Sequence, residues 1–506
     1  MRRPILSVGL GAALLLCGSS RVLAQAAAPA AAPRIERAIL ISLDGMHAVD
    51  LALYVAANPQ STLAALAKRG VTYPNARTPL LGDSSPGLLS LATGGSPAVT
   101  GIIYSPTYDR TLSPPTSKDC ADRGTVIYID EKPVKDNTRE DSGGGIDPEK
   151  LPRDPAKGCT PVYPRQLVRV NTMFEVVKRH GGRTAWIDQH DAYNDMLLGA
   201  SGAALDDSRS LERRGSVLTF DGVTGQDGRR LELLLNQIRG NDSYGRKATV
   251  PTLFGMGFIS VSVLQKSEGY PDASGRPGNK DLKRALDFVD RSLGRIVAEL
   301  TTARLVDSTL IVISSKHGQS PIDLTQRRLV NRGGVRDAIN GVQDGLLAHA
   351  SLDAIGLVWL KDSSRTEEAA AALRARQSAL GIQKIYWGEA SRMLVASPAE
   401  DPRAPDIVFQ PELGVFYTEN ADSDAAKLVL AEHGGMLDED TNVVTLVSFA
   451  GGTGVINRAH VQTSQVAPTI LAALGIDPSE LDAVQKEGTT VLPGLPWSAF
   501  RAGGRR

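Results

Sequence analysis

Short apolar runs that stop abruptly on a polar residue recur along this chain. The run 38–43 ends at Asp44-Gly45, 184–187 at Asp188, 258–263 at Gln265, and 309–313 at Lys316-His317-Gly318. Near-continuous hydrophobic runs of this length predict strands buried on both faces, the habit of parallel sheets. A further strand is expected over 443–447. Between them lie helical patterns, clearest over 282–300, where apolar residues at 282, 286, 289, 293, 296, 297 and 300 form one stripe. Alternation of the two periods predicts an α/β fold: one large, mostly parallel sheet with helices on both faces. Ligands in such sheets collect at the carboxyl ends of the strands, which makes Asp44 the first functional candidate.

Two regions break the rhythm. Residues 105–165 are rich in Pro, Gly, Asp and Lys and predict a loop-rich insertion. Residues 350–430 hold a strand pattern at 355–360 and a helical one at 367–380, a small α+β cap. The main domain is expected to run from 37 to 497, with no internal repeat.

Composition refines this picture at the N-terminus. Arg2 and Arg3 precede an apolar stretch from Ile5 to Cys17, and Val22-Leu23-Ala24 offers a cleavage site before Gln25. Residues 1–24 therefore predict a signal peptide, followed by an Ala/Pro linker over 25–36. Leu16 stands where lipid attachment at Cys17 would need a small residue. No later stretch approaches the roughly 20 apolar residues of a spanning helix, so a periplasmic or secreted protein is expected. Cys120 and Cys159 are then the remaining cysteines, and a pair in an exported chain most simply forms a disulfide. Two independent thiols are the alternative; a zinc site on these two alone lacks soft ligands.

Formal charge balances at zero, with 56 basic and 56 acidic side chains, which argues against a general nucleic-acid-binding surface. Phosphate recognition must then be local. The segment Leu81-Gly82-Asp83-Ser84-Ser85-Pro86-Gly87 precedes a helical stripe. It places a hydroxyl at a helix N-terminus, where free backbone N–H groups and the dipole favour a phosphoryl group. Taken alone, the segment is equally an ordinary serine N-cap.

The order of landmarks goes further. Asp44-Gly45 at a strand end is followed by Ser84, Pro86, Thr93-Gly94 and Gly101-Ile102, then by two His-Gly pairs at 317 and 433, and by a closing helix at 465–475. This order resembles the alkaline phosphatase superfamily, specifically its type I phosphodiesterase/nucleotide pyrophosphatase family, over about residues 37 to 497. The resemblance implies a metal-dependent hydrolase of phosphate esters or nucleotides. Ser84 would be the nucleophile, passing through a phosphoserine-type intermediate, and Asp44, His317 and His433 would be ligands of one or two divalent ions, Zn2+ foremost. A metal would lower the pKa of the serine hydroxyl and neutralise charge on the phosphoryl oxygens.

The chain departs from the family pattern in two places. Where the family has Asp-x-x-x-His, residues 260–266 read Ser-Val-Ser-Val-Leu-Gln-Lys, and where it has Asp-His this chain has Lys316-His317. Two compensations are open. Lys316 could supply a fixed ammonium in catalysis, or Asp188 and His190 could bring new metal ligands. His47, His180, His349 and His460 read as surface or packing residues. A non-catalytic phosphate-ester or glycan binder on the same fold is the alternative function. A sulfatase-type enzyme is disfavoured by Leu88, where that group has Arg.

Overall fold

The structure is a computed structural model and describes residues 1, 34–212, 219–270, 280–497 and 500. The expected signal peptide over 1–24 and most of the linker over 25–36 lie outside the described residues. Eight strands form the main sheet: β1 (Arg37–Leu43), β2 (Gly70–Thr72), β3 (Thr184–Asp188), β4 (Asp207–Ser210), β5 (Leu253–Phe258), β6 (Thr309–Ser314), β7 (Leu446–Ser448) and β8 (Val455–Ile456). Their spatial order is β8-β2-β7-β6-β1-β5-β3-β4. Every pairing from β6 to β4 is parallel, and β7 alone runs antiparallel to both its neighbours.

β1 explains the architecture. Ala38 and Leu40 enter one hydrophobic core while Ile39, Ile41 and Leu43 enter the other, so the strand has no wet face. The helix Lys280–Thr302 covers one side, sinking Leu282, Leu286, Val289, Leu293, Ile296 and Leu300 into the second core. Each such side chain contributes about 1.5–3 kcal/mol when fully buried. On the opposite side, Ser84–Thr93 and Val466–Ala473 supply Leu88, Leu89, Ile470 and Leu471 to the first core.

Three expected boundaries move. The strand expected over 258–263 lies earlier, at Leu253–Phe258, and Ser260–Glu268 is a helix. Its Ser-Val-Ser-Val alternation misleads because Ser260, Val261, Ser262, Val263, Leu264 and Gln265 are all buried. No polar position there marks a solvent face. The strand expected at 443 begins at Leu446, and the cap helix ends at Ala375 rather than 380.

Residues 347–411 contain a four-stranded antiparallel sheet, Leu347–Leu352, Gly356–Leu360, Ile407–Pro411 and Ile382–Trp387 in spatial order. Its Leu357, Trp359 and Val408 pack on Leu81, Ile103 and Tyr104, beside the start of the Ser84 helix. The segment between residues 105 and 165 is mostly turns and two-stranded ribbons, and Cys120 and Cys159 form a disulfide.

Candidate active site

Parallel register brings the ends of β6, β1, β5 and β3 to one edge, with Leu43 opposite Phe258 and Ser42 opposite Ser314. The residues that follow, Asp44, Asp188, Ile259 and Lys316-His317, therefore emerge side by side. Above them is a cavity of about 400 Å3 lined by Asp44, Ser84, His190, Tyr193, Lys266, His317, Asp353 and His433 among others.

Ser84 opens a ten-residue helix that is buried throughout. Gly87 makes that placement possible: a Cβ there would lie 2.0 Å from the Lys316 carbonyl oxygen. The first turn of the helix thus sits directly on the loop after β6. Ser84 is only 8% exposed, and the Tyr193 hydroxyl forms a side-chain hydrogen bond with it. The preceding Asp83 accepts from the Ser105 N–H at 3.1 Å, and burial raises its pKa to about 7.

Lys316 is fully buried between two carboxylates. Its Nζ lies 2.9 Å from Asp44 Oδ2 and 3.6 Å from Asp188 Oδ1, and 4.7 Å from the centre of the Tyr193 ring. Burial pushes its pKa down, but the charges of Asp188 and Asp44 outweigh this and leave it above the ordinary lysine value. Burial likewise raises Asp44, partly offset by Lys316. Asp44 Oδ1 accepts from the Ser42 hydroxyl at 2.9 Å. Asp188 Oδ2 accepts from Trp186 Nε1 at 2.9 Å, and Oδ1 from the Gln189 N–H at 2.8 Å. Each oxygen of both carboxylates already has a donor or a cation.

His317 and His433 stack face to face, ring centres 3.8 Å apart and planes inclined by 29°. Burial drives His317 down to about 3 and His433 well below the usual histidine value, so both are neutral imidazoles at pH 7. His317 Nδ1 lies 2.7 Å from the Gly318 carbonyl and must donate to it, which leaves the Nε2 lone pair free. His433 Nδ1 is 3.6 Å from Asp83 Oδ1, and Glu432 pairs with Lys266.

The structure therefore gathers Asp44, Ser84, His317 and His433 around one cavity, and holds Lys316 fully buried against Asp44. Asp188 is drawn to Lys316. His190 also lines the cavity, but its Nδ1 is 2.8 Å from Glu212 Oε2 and its Nε2 is 3.8 Å from Glu131. Among the cavity residues that escaped the sequence reading are Tyr193, Asp83 and Asp353. Tyr193 has one usable signal, its place in the first turn of the helix that follows strand-end Asp188. Asp353 arrives from the cap, and burial together with Glu432 raises its pKa to about 7. His47 is no surface residue. It is buried, bonded to Asp50, Tyr270 and the carbonyls of Gln319 and Glu439.

A matching family model and the fold together indicate a hydrolase of the alkaline phosphatase superfamily. The family model of type I phosphodiesterase / nucleotide pyrophosphatase matches residues 38–436, and the chain belongs to that family. Murine ectonucleotide pyrophosphatase / phosphodiesterase 5 superposes with a TM-score of 0.58 at 14% identity, over 92% of this chain and 99% of that one. Its inactive variant in complex with AMP gives 0.58 at 13%, covering 88% and 96%. A multiply substituted alkaline phosphatase PafA gives 0.59 at 12%, again covering 88% and 96%. No curated protein matches the chain. Among the described residues no helix is long and apolar enough to cross a membrane.

Family members typically use divalent metals, and the residues present can be tested against such ions. They do not fit a two-metal centre. A divalent ion about 4 Å from the Lys316 ammonium would meet roughly 8 kcal/mol of repulsion at an effective dielectric of about 20. Ile259 and, from the helix after β5, Ser262, Val263 and Lys266 line the cavity, none of them a usual ligand. Among the described residues, no three His, Cys, Asp or Glu side chains form a group able to hold a metal.

Proposed function

We propose that this protein hydrolyses phosphodiester or nucleotide pyrophosphate bonds with Ser84 as its nucleophile. The observation that carries the reading is the position of Ser84, at a buried helix N-terminus in the wall of the cavity that Asp44, Tyr193 and His317 also line. The Ser84 Oγ attacks phosphorus, the Oγ–P bond forms, and the bond to the leaving oxygen breaks. The serine proton passes to a phosphoryl oxygen and from it to the leaving oxygen. A water molecule then attacks phosphorus, the P–Oγ bond breaks, and the proton lost by the water returns by the same route to Ser84 Oγ. Free N–H groups at the helix start and the Lys316 ammonium stabilise the charge that develops on the phosphoryl oxygens. Asp44 and Asp188 hold that ammonium in place, and Tyr193 orients the Ser84 hydroxyl.

The domain proposed for this chemistry is 37–497, with 105–165 and 350–430 as the insertion and cap that select the leaving group. Residues 1–24 are proposed to direct export, so N-terminal sequencing of secreted protein should begin at Gln25.

The test of the nucleophile is turnover of a nitrophenyl phosphodiester. Ser84→Ala should lower kcat/KM by at least about a thousandfold, a loss of roughly 4 kcal/mol of transition-state stabilisation. Unchanged turnover would remove Ser84 from the mechanism. A second reading, a phosphate-ester-binding protein without turnover, is favoured by one observation: Lys316 already neutralises Asp44. It predicts ligand protection against unfolding, equal in both proteins, and no product.

A further inference from the structure

We infer that Lys316 is the resident cation of this site, its ammonium standing where the family carries a divalent ion beside the nucleophile, so that the chain works without bound metal. This deepens the hydrolase reading and rests on it for the catalytic part; the absence of a metal-binding site stands apart from it.

Three independent features carry the inference. The first is the ion pair itself. Lys316 Nζ is 2.9 Å from Asp44 Oδ2 and 3.6 Å from Asp188 Oδ1, and none of the three residues exceeds 2% exposure. The ammonium and its two carboxylates are sealed from solvent, and the loop that carries Lys316 is locked against Gly87. An ion could reach Asp44 Oδ2 there only by displacing the ammonium from its 2.9 Å contact.

The second is what replaces the other ligands. Ile259 and Val263, one helical turn apart, line the cavity where the helix after β5 begins. Two aliphatic side chains on that face leave an ion without a carboxylate or imidazole from this helix. Ser262 is already committed, its hydroxyl donating to Gln319 Oε1 at 2.7 Å.

The third is the stacking of His317 on His433. Imidazole lone pairs lie in the ring planes. Stacked rings with centres 3.8 Å apart and planes inclined by only 29° run those lone pairs side by side instead of converging them on one ion about 2.0–2.1 Å from each.

The experiment measures metal in the full-length mature protein after dialysis against excess zinc, by elemental analysis, and follows thermal unfolding with and without EDTA. Wild type should retain well under one zinc per chain, and its Tm should not move with EDTA. Lys316→Asp, which recreates an Asp-His pair beside Asp44, should retain zinc and gain Tm on adding it. Retention of one or more ions per chain by wild type, with loss in His433→Ala, would overturn the inference. So would a Tm that falls in EDTA. Should Lys316→Asp not fold, the wild-type measurements and His433→Ala decide alone. Phosphodiester turnover separates the two readings. A metal-free but inactive wild type would sink the hydrolase and leave the lysine site, while activity that needs added zinc would do the reverse.

Discussion

Gly87 is the residue on which the geometry of Ser84 most directly depends. With a Cβ 2.0 Å from the Lys316 carbonyl oxygen and 2.7 Å from its carbon, alanine cannot be admitted without separating helix and loop. Gly87→Ala should destabilise the protein by about 1–3 kcal/mol, as overpacking does. It should also lower kcat more than it raises KM, because nucleophile and ammonium move apart; equal kcat in both proteins would contradict the close approach. His47 gives a second prediction at this scale. Burial lowers its pKa, yet Asp50 and the Glu439 carbonyl raise it further, and the net direction is up. Its contribution to stability is therefore complete below the unfolded value of about 6.5 and is lost as pH rises through the folded pKa. Urea unfolding at pH 6 and pH 9 should show His47→Gln costing more at the lower pH. An equal cost at both would show that the imidazole is not charged when folded. The sequence offered no hint of this role, since the partners of His47 include Tyr270, Gln319 and Glu439, far along the chain.

At the scale of elements, legibility followed burial pattern. β1, β3 and β6 were readable because both faces are dry and each ends on a polar tip. Ser260–Glu268 was misread because its first six residues are all buried, and a stretch buried all round shows no 3.6-residue stripe. The consequence for the site is specific: Gln265, taken for a strand tip, lies within a helix and donates to the Gly45 carbonyl at 2.9 Å, fixing the turn after Asp44. The disulfide was readable from parity alone, while the cavity wall it supports was not. Ile129, Asp130 and Glu131 reach the cavity from within the 39-residue span that Cys120 and Cys159 close. Cys120→Ser with Cys159→Ser should lower stability by up to about 4 kcal/mol in the chain-entropy model. Limited proteolysis should then cut first between 120 and 159. Cleavage elsewhere at the same protease dose would mean that this wall is held by other contacts.

At the scale of the molecule, the cap is fastened both to the insertion and to the main domain. Three arginine–aspartate pairs do this. Arg169 grips Asp401 through two contacts of 2.7 Å, Arg110 reaches Asp406 at 2.5 Å, and Arg403 reaches Asp109 at 3.1 Å. All three aspartates are at most 3% exposed, so each needs its partner. Arg403 also donates to the Gly101 and Leu167 carbonyls at 2.7 and 2.8 Å, tying cap, insertion and main domain at one point. Arg403→Ala leaves the Asp109 carboxylate buried without its cation, a loss of about 3–5 kcal/mol. The cap contributes Asp353 to the cavity but nothing to the cluster of Ser84, Lys316 and His317. Loosening it should therefore raise KM for nucleotide substrates several-fold while kcat on a small nitrophenyl ester stays within about twofold. If kcat falls on both substrates alike, the cap is holding the catalytic residues themselves, and the division of labour between edge and cap is wrong.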